Sequence, residues 1–197
     1  MRDDSVKRYL SSVKDGAVFC IQDIPVEGSS YDSVKMQLSK ACSTGQIERV
    51  VRGIYHKPKF SSLLNGYVPY RMQDLVRALS RMNGWRIIPS GSMCLNLLGL
   101  STQVPSQYIY YSNGPNHTYE VGGTVIEFRH RSPRDFPDSD SSAIVIQAVK
   151  ARGKDNCDVE FMAALSEYIR RNGAGSLLED SRCATSWVRK VISEACA

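Results

Sequence analysis

The sequence lacks the residue spacings that metal and redox sites require. Among its 197 residues are 6 cysteines and 3 histidines, but no two cysteines form a Cys-x-x-Cys pair and no spacing matches a zinc site. The histidines lie far apart in sequence, so we expect no metal site and no cofactor. We interpret the cysteines as small buried hydrophobic residues of a protein that is kept reduced.

Long apolar runs are also missing. The first residues, MRDDSVKRYL, carry charges of both signs and no apolar core of a signal peptide. No stretch approaches the ~20 apolar residues that a membrane helix needs. We therefore expect a cytoplasmic protein that does not enter a membrane. The net charge of +5 is a modest excess, which permits a polyanionic partner without establishing one.

Complete catalytic signatures are absent as well. The Gly91-Ser92 pair is similar to the glycine-serine of nucleotidyltransferases, but no carboxylate pair follows where such sites bind Mg²⁺. Asp138 and Asp140 form an Asp-x-Asp pair that we interpret as part of a solvated, proline- and serine-rich loop. The sequence has no glycine-rich phosphate loop and no Ser/His/Asp signature. We therefore predict no catalytic residues and a protein that is not an enzyme.

What the sequence does contain begins with an ordered series of helix and strand patterns. Residues 4–14 place apolar side chains at helical spacing, and a short apolar strand follows at 17–21. A second helix is predicted over Tyr31–Ser43, preceded by serines that can cap it. IERVV and IYHK are then two short strands joined by a tight turn at Arg52-Gly53. This order predicts a winged helix-turn-helix DNA-binding domain over residues 1–60.

A second series of patterns follows a segment at 57–69 that we interpret as a linker, because it contains proline, glycine, serine and asparagine. It comprises a helix, a strand, a short helix, three strand-like runs between 107 and 131, and three final helices. We predict that residues 70–197 form an α+β domain with a small antiparallel sheet and C-terminal helices. The predicted fold class of the whole chain is therefore α+β.

The helix over Tyr31–Ser43 has a face that suits DNA readout. Val34, Leu38 and Ala41 point inward, which leaves short polar residues and lysines outward, as on a recognition helix in a major groove. Backbone N–H groups and hydroxyls before such a helix can hold a phosphate. The alternative interpretation is the solvated face of an ordinary helix. The residues predicted here to bind DNA are Ser29, Ser30, Tyr31, Ser33, Lys35, Met36 and Lys40.

The hairpin that follows adds a cluster of basic residues with only Glu48 opposing it. Arginines on a hairpin next to a recognition helix suit phosphate contact or insertion into the minor groove. The alternative interpretation is charged protection of a sheet edge. The residues predicted here to bind DNA are Arg49, Arg52, His56, Lys57 and Lys59.

Two stretches carry a resemblance to a known family. GQIERVVRGIYHKP resembles the end of the winged helix in the abortive-infection type E antitoxins, which are the repressor halves of type IV toxin–antitoxin pairs. IPSGSMCLNLLGLSTQVP, followed by YIYYSNGPNHTYEVGGTVIEFRHRSPRD, is similar to the second domain of that family. The resemblance implies an autorepressor on repeats in its own promoter, and an antitoxin role beside a nucleotidyltransferase-like toxin to which the second domain contributes.

Residue pattern and resemblance together predict a sequence-specific transcriptional repressor whose partner is double-stranded operator DNA. The alternative is a module that binds protein or RNA through the basic hairpin without sequence-specific DNA readout. An enzyme acting on nucleic acid would need a carboxylate cluster near the basic surface.

Overall fold

The protein is described from a computed structural model that defines residues 4–26, 28, 30–100, 107–132, 135–173 and 175–197, the side chain of Cys183 excepted. The fold is α+β, as predicted, and the chain divides into two compact units, residues 1–85 and 86–197. No helix within the described ranges is long and apolar enough to span a membrane. The same residues contain no group of three side chains that could hold a metal ion.

The first unit alternates short helices and strands and contains two sheets, one with strand order β1-β3-β2 and one formed by β4 and β5. Its elements are α1 (Ser5–Ser12), β1 (Val18–Cys20), a 3-10 turn (Ile21–Asp23), α2 (Tyr31–Ser43), β2 (Glu48–Val51), β3 (Ile54–His56), β4 (Lys59–Ser61), β5 (Gly66–Val68) and α3 (Met72–Asn83).

In the three-stranded sheet of this unit, β1 and β3 are buried on both faces, whereas β2 is partly exposed. Phe19 pairs with Tyr55 across β1 and β3, and both pack in one core with α1 and α2. Side chains alternate along a strand, so Cys20 and Ile54 point to the opposite face, and both are fully buried. Helix α3 packs against β1 and β3. The sheet therefore lies between α1 and α2 on one side and α3 on the other.

This packing differs from the sequence-based division at residues 60–70. Helix α3 was placed in the second domain, but by its contacts it belongs with the first unit. The segment at 57–69, interpreted as a linker, contains the β4–β5 hairpin instead. Asn65 adopts a left-handed conformation with φ 46° in its turn, so Asn65-Gly66 is the turn signal of a hairpin rather than of a flexible connection.

The second unit combines a four-stranded sheet with a group of helices. Its elements are β6 (Ile87–Pro89), α4 (Gly91–Leu97), β7 (Gln107–Ser112), β8 (His117–Val121), β9 (Thr124–His130), α5 (Asp140–Arg152), a 3-10 turn (Lys154–Asn156), α6 (Val159–Asn172), α7 (Leu177–Asp180), a 3-10 turn (Ser181–Cys183) and α8 (Ser186–Ala195). Helix α5 packs against α4, α6 and α8, and Val149, Phe161 and Ile192 are fully buried in their shared core.

The prediction of an antiparallel sheet is confirmed for β6–β7 and β8–β9 but is wrong for the central pair, because β7 and β9 run parallel and the sheet is mixed. The strand order is β6-β7-β9-β8, so β9 lies between β7 and β8. The Asn113-Gly114 turn does not close a hairpin. Gly114 O lies 2.9 Å from His130 Nδ1, and Asn116 accepts a hydrogen bond from the His130 backbone. The β7–β8 connection is thereby fixed to the end of β9.

Candidate nucleic-acid interface

Helix α2 begins where the capping serine predicts. The Ser30 hydroxyl accepts a hydrogen bond from the backbone N–H of Ser33 at 3.1 Å, which satisfies one of the free donors of the first helical turn. Capping is therefore confirmed for Ser30, while Ser29 lies outside the described residues. The inward face is also confirmed, because Val34, Leu38 and Ala41 are the buried residues of the helix.

The outward face of α2 is open and carries lysines. Tyr31, Lys35, Met36 and Lys40 are all exposed, and Met36 has 74% of its surface accessible. The Lys35 ammonium lies 4.3 Å from the centre of the Tyr31 ring and 3.5 Å from the Asp32 carboxylate. An exposed ion pair of this kind contributes little energy, so Lys35 can exchange it for another anion.

Ser33 is placed differently from the prediction that it points outward. It is half-buried, and its hydroxyl accepts a hydrogen bond from Gln37 Nε2 at 3.3 Å. Gln37 Oε1 in turn accepts from the backbone N–H of Val6. Ser33 therefore belongs to a chain of hydrogen bonds that joins α2 to the start of α1.

The turn of the β2–β3 hairpin holds its arginine on a fixed backbone. Arg52 is exposed at this turn. Gly53 follows with φ +84°, and a Cβ on it would lie 2.9 Å from the Met82 sulfur of α3. The left-handed conformation favours glycine at this position, and the flexible Met82 side chain lies directly beside it. The turn that presents Arg52 is thereby packed against α3.

Arg49 extends the basic surface from the hairpin towards the end of α2. It is exposed on β2 and pairs with Tyr55 across β3. Burial raises the pKa of the neighbouring Cys42 thiol, and the positive charge of Arg49 opposes that shift. Arg49 therefore lies close enough to Cys42 for its charge to be felt at the last turn of α2.

Two of the predicted basic residues are engaged inside the unit. His56 is only 3% exposed; its Nδ1 lies 3.4 Å from the Glu48 carboxylate and its ring packs edge-to-face on Tyr70. The Lys57 ammonium donates to the carbonyl oxygens of Leu10 and Val13 at 2.8 and 3.0 Å. These carbonyl groups lie at the C-terminal end of α1, where a positive charge stabilises the helix.

Lys57 also lies 2.8 Å from the Asp15 carboxylate, so its charge is neutralised within the unit. By contrast, Lys59 is exposed on β4. Within the described part of the chain, no ion pair involves Lys40, Arg49, Arg52 or Lys59. These residues, together with Lys35, leave an exposed basic surface on α2, β2, its turn and β4.

A contact that the sequence analysis missed ties α3 to the chain just before α2. Arg81 donates from Nε and Nη2 to the two carboxylate oxygens of Asp23 at 2.9 and 2.8 Å, and Asp23 also accepts from the Cys20 backbone. Burial alone raises the pKa of Asp23, but the hydrogen bonds from Arg81 and Cys20 outweigh it and hold that pKa below its usual range. No local sequence signal marks this pair.

The chain belongs to DUF6088, a family of unknown function whose sequence model matches residues 5–177. Among curated proteins, no sequence matches it. The matched region covers nearly all of the first compact unit and most of the second, and the description of the family assigns neither of them an activity.

Proposed function

We propose that this DUF6088 member is a sequence-specific DNA-binding transcriptional repressor in which residues 1–85 form a winged helix and α2 is the recognition helix. The observation that carries the proposal is the exposed basic surface of Lys35, Lys40, Arg49 and Arg52 on α2 and the adjacent hairpin. In this interpretation the protein binds double-stranded operator DNA and performs no catalysis.

The order and pairing of the elements support the winged-helix assignment. A helix, a strand, a second helix and a hairpin follow one another, and β3 lies between β1 and β2 in the sheet. A 3-10 turn at Ile21–Asp23 occupies the position before the recognition helix where a first helix of the helix-turn-helix motif is expected. Arg81 of α3 binds the Asp23 carboxylate of this turn. Helix α3 is therefore an integral part of the proposed DNA-binding unit.

The division of roles between α2 and the hairpin follows from what each exposes. Along α2, Lys35 and Met36 combine a donor and an apolar side chain near the first turns, as base-edge contacts in a major groove require. Arg52 at the packed turn and Arg49 on β2 present guanidinium groups that suit phosphate oxygens. His56 and Lys57 take no part in this interface, because their side chains are used within the unit.

The antitoxin part of the proposal rests on the resemblance to the abortive-infection type E antitoxins. On that basis the operator consists of repeats in the promoter of the gene itself. The functional partner is a nucleotidyltransferase-like toxin encoded beside it, and residues 86–197 contribute to neutralising that toxin.

The test is binding of the full chain to a labelled duplex of its own promoter and to a scrambled duplex of equal length. The triple variant K40A/R49A/R52A is compared with K150A/K154A/R189A, which removes the same charge from exposed positions of the second unit. We expect the first variant to lose at least about 100-fold in affinity and about three units of salt slope, and the second to retain wild-type binding. Equal losses would contradict the interface, and equal binding to both duplexes or to RNA would contradict sequence-specific DNA recognition.

A further inference from the structure

The β4–β5 hairpin exposes apolar side chains that no described residue covers. Phe60 is 56%, Leu63 93%, Leu64 67% and Tyr67 70% accessible. They lie within one short segment, in which Phe60 pairs directly with Tyr67 across the two strands and the rings pack edge-to-face with centres 5.6 Å apart. A contiguous apolar patch of this kind marks an interaction surface rather than an ordinary loop.

The hairpin presents one defined face. Lys59 Cβ and Cδ would lie 3.5 and 3.6 Å from a Cβ on Gly16, so the Lys59 stem rests beside the turn that follows α1. Side chains alternate across the strands, which directs Phe60 and Tyr67 away from that turn and towards solvent. The backbone N–H of Leu64 donates to the Ser61 hydroxyl, and this bond holds the turn that carries Leu63 and Leu64.

Apart from Lys59, the hairpin lies away from the basic residues of α2 and the β2–β3 turn. Across β2 and β3, Arg52-Gly53 forms the turn at one end, and Glu48 pairs with His56 at the other. The β4–β5 hairpin follows His56, so it leaves the sheet about 10 Å from the Arg52 turn, at the opposite end of β3. The hairpin also carries a single cation, Lys59, and no acidic residue. An apolar patch at that end is better suited to a protein surface than to phosphates.

We infer that this patch is a self-association surface, on which a second copy of the chain packs its own Phe60–Tyr67 face in a two-fold dimer. A copy of the same chain brings an identical apolar patch, as a two-fold interface requires. A two-stranded hairpin is marginal by itself in water and is stabilised by additional strands or packing. This inference does not depend on DNA binding.

The exposed area limits the size of the interface that this patch can form. The apolar side chains of the hairpin together expose on the order of 500 Å², so two copies that cover this surface completely bury at most about 1,000 Å², the lower limit for a specific interface. The dimer is therefore weak and concentration-dependent. Because the Phe60–Tyr67 face carries no charged side chain, added salt leaves self-association unchanged or stronger. DNA binding responds to salt in the opposite direction.

The test is sedimentation equilibrium of the full chain over a wide range of concentrations without DNA. We expect a monomer–dimer equilibrium whose dissociation constant rises at least about tenfold in F60S/Y67S. The matched control is V159S, which removes an apolar side chain that is 87% exposed on α6, and we expect it to leave the equilibrium unchanged. If circular dichroism shows F60S/Y67S to be unfolded, L63S/L64S at the turn provides the same measurement.

A wild-type chain that stays monomeric at the highest concentration would overturn the proposal. So would an equal shift in V159S and the hairpin variants. If the wild type is monomeric and F60S/Y67S loses promoter binding, the hairpin is a nucleic-acid contact instead. The self-association measurements do not depend on whether the basic surface binds DNA, since K40A/R49A/R52A is expected to dimerise like the wild type.

Discussion

Two hairpins follow one another in the first unit, and they expose different kinds of side chain to solvent. The β2–β3 hairpin carries arginines, and its turn at Gly53 packs on Met82 of α3. The β4–β5 hairpin carries Phe60 and Tyr67 on a face that is open to solvent. This difference is why we propose different partners for the two hairpins, a polyanion for the first and a protein for the second.

The largest expected effect tests whether the two hairpins differ in their contribution to the core. Ile54 on β3 is completely buried, whereas Leu63 in the β4–β5 turn is 93% exposed. Ile54→Ala should lower the free energy of unfolding by about 2–5 kcal/mol, because it leaves a cavity between the sheet and α3. Leu63→Ala should change it by no more than about 0.5 kcal/mol. Urea unfolding of both variants decides this, and similar losses would contradict the described packing.

A smaller effect separates two lysines that lie next to one another in sequence. Lys57 donates to Leu10 and Val13 at the end of α1, while Lys59 is exposed. Lys57→Met should cost about 1–3 kcal/mol of stability, because it leaves those carbonyl oxygens without their donor. Lys59→Met should leave the unfolding midpoint unchanged. If Lys57→Met weakens promoter binding while stability is unaffected, then Lys57 contacts DNA and our assignment of it is wrong.

A third effect depends on pH and concerns the attachment of α3 beside the β2–β3 turn. The pKa of Asp23 is lowered in the folded protein. The unfolded chain therefore binds a proton at Asp23 more readily than the folded protein does. The stabilisation is complete above the unfolded pKa of about 3.9 and is lost as the pH falls through the folded value. Thermal unfolding from neutral to acid pH should therefore show a smaller acid loss in Arg81→Met than in the wild type. Parallel pH profiles would show that the Arg81 pair does not stabilise the fold.

The smallest effect concerns one phosphate contact. Arg52→Ala should weaken binding to promoter and scrambled duplexes about equally and reduce the salt slope by about one unit. Lys150→Ala on α5 removes the same charge at an exposed position of the second unit and should change neither quantity. An unchanged salt slope in Arg52→Ala would remove the β2–β3 turn from the interface.

Local signals in the sequence predicted the elements that local chemistry determines. The bounds of α2 follow from the capping serine and the glycine after the helix, and its inward face follows from the spacing of Val34 and Leu38. The β2–β3 hairpin is likewise marked by Arg52-Gly53. Such features involve neighbouring residues only, so a single sequence contains them.

The features that were missed depend on contacts between distant residues. Asp23 and Arg81 are 58 positions apart, and no pattern near either one identifies its partner. The direction of the Lys57 side chain, into the end of α1, is equally invisible in a run of basic residues. The turn signal at Asn65-Gly66 is common to linkers and hairpins, and only the pairing of Phe60 with Tyr67 distinguishes them.

Whether α2 reads base sequence can be decided with the single variant Lys35→Ala. Its affinity should be measured by fluorescence anisotropy on the promoter duplex and on a scrambled duplex at the same salt concentration. We expect a loss of about 1–3 kcal/mol on the promoter and a smaller loss on the scrambled duplex, because a base contact exists only at the cognate site. Equal losses on both duplexes, or no loss on either, would contradict the claim that this helix is the recognition helix.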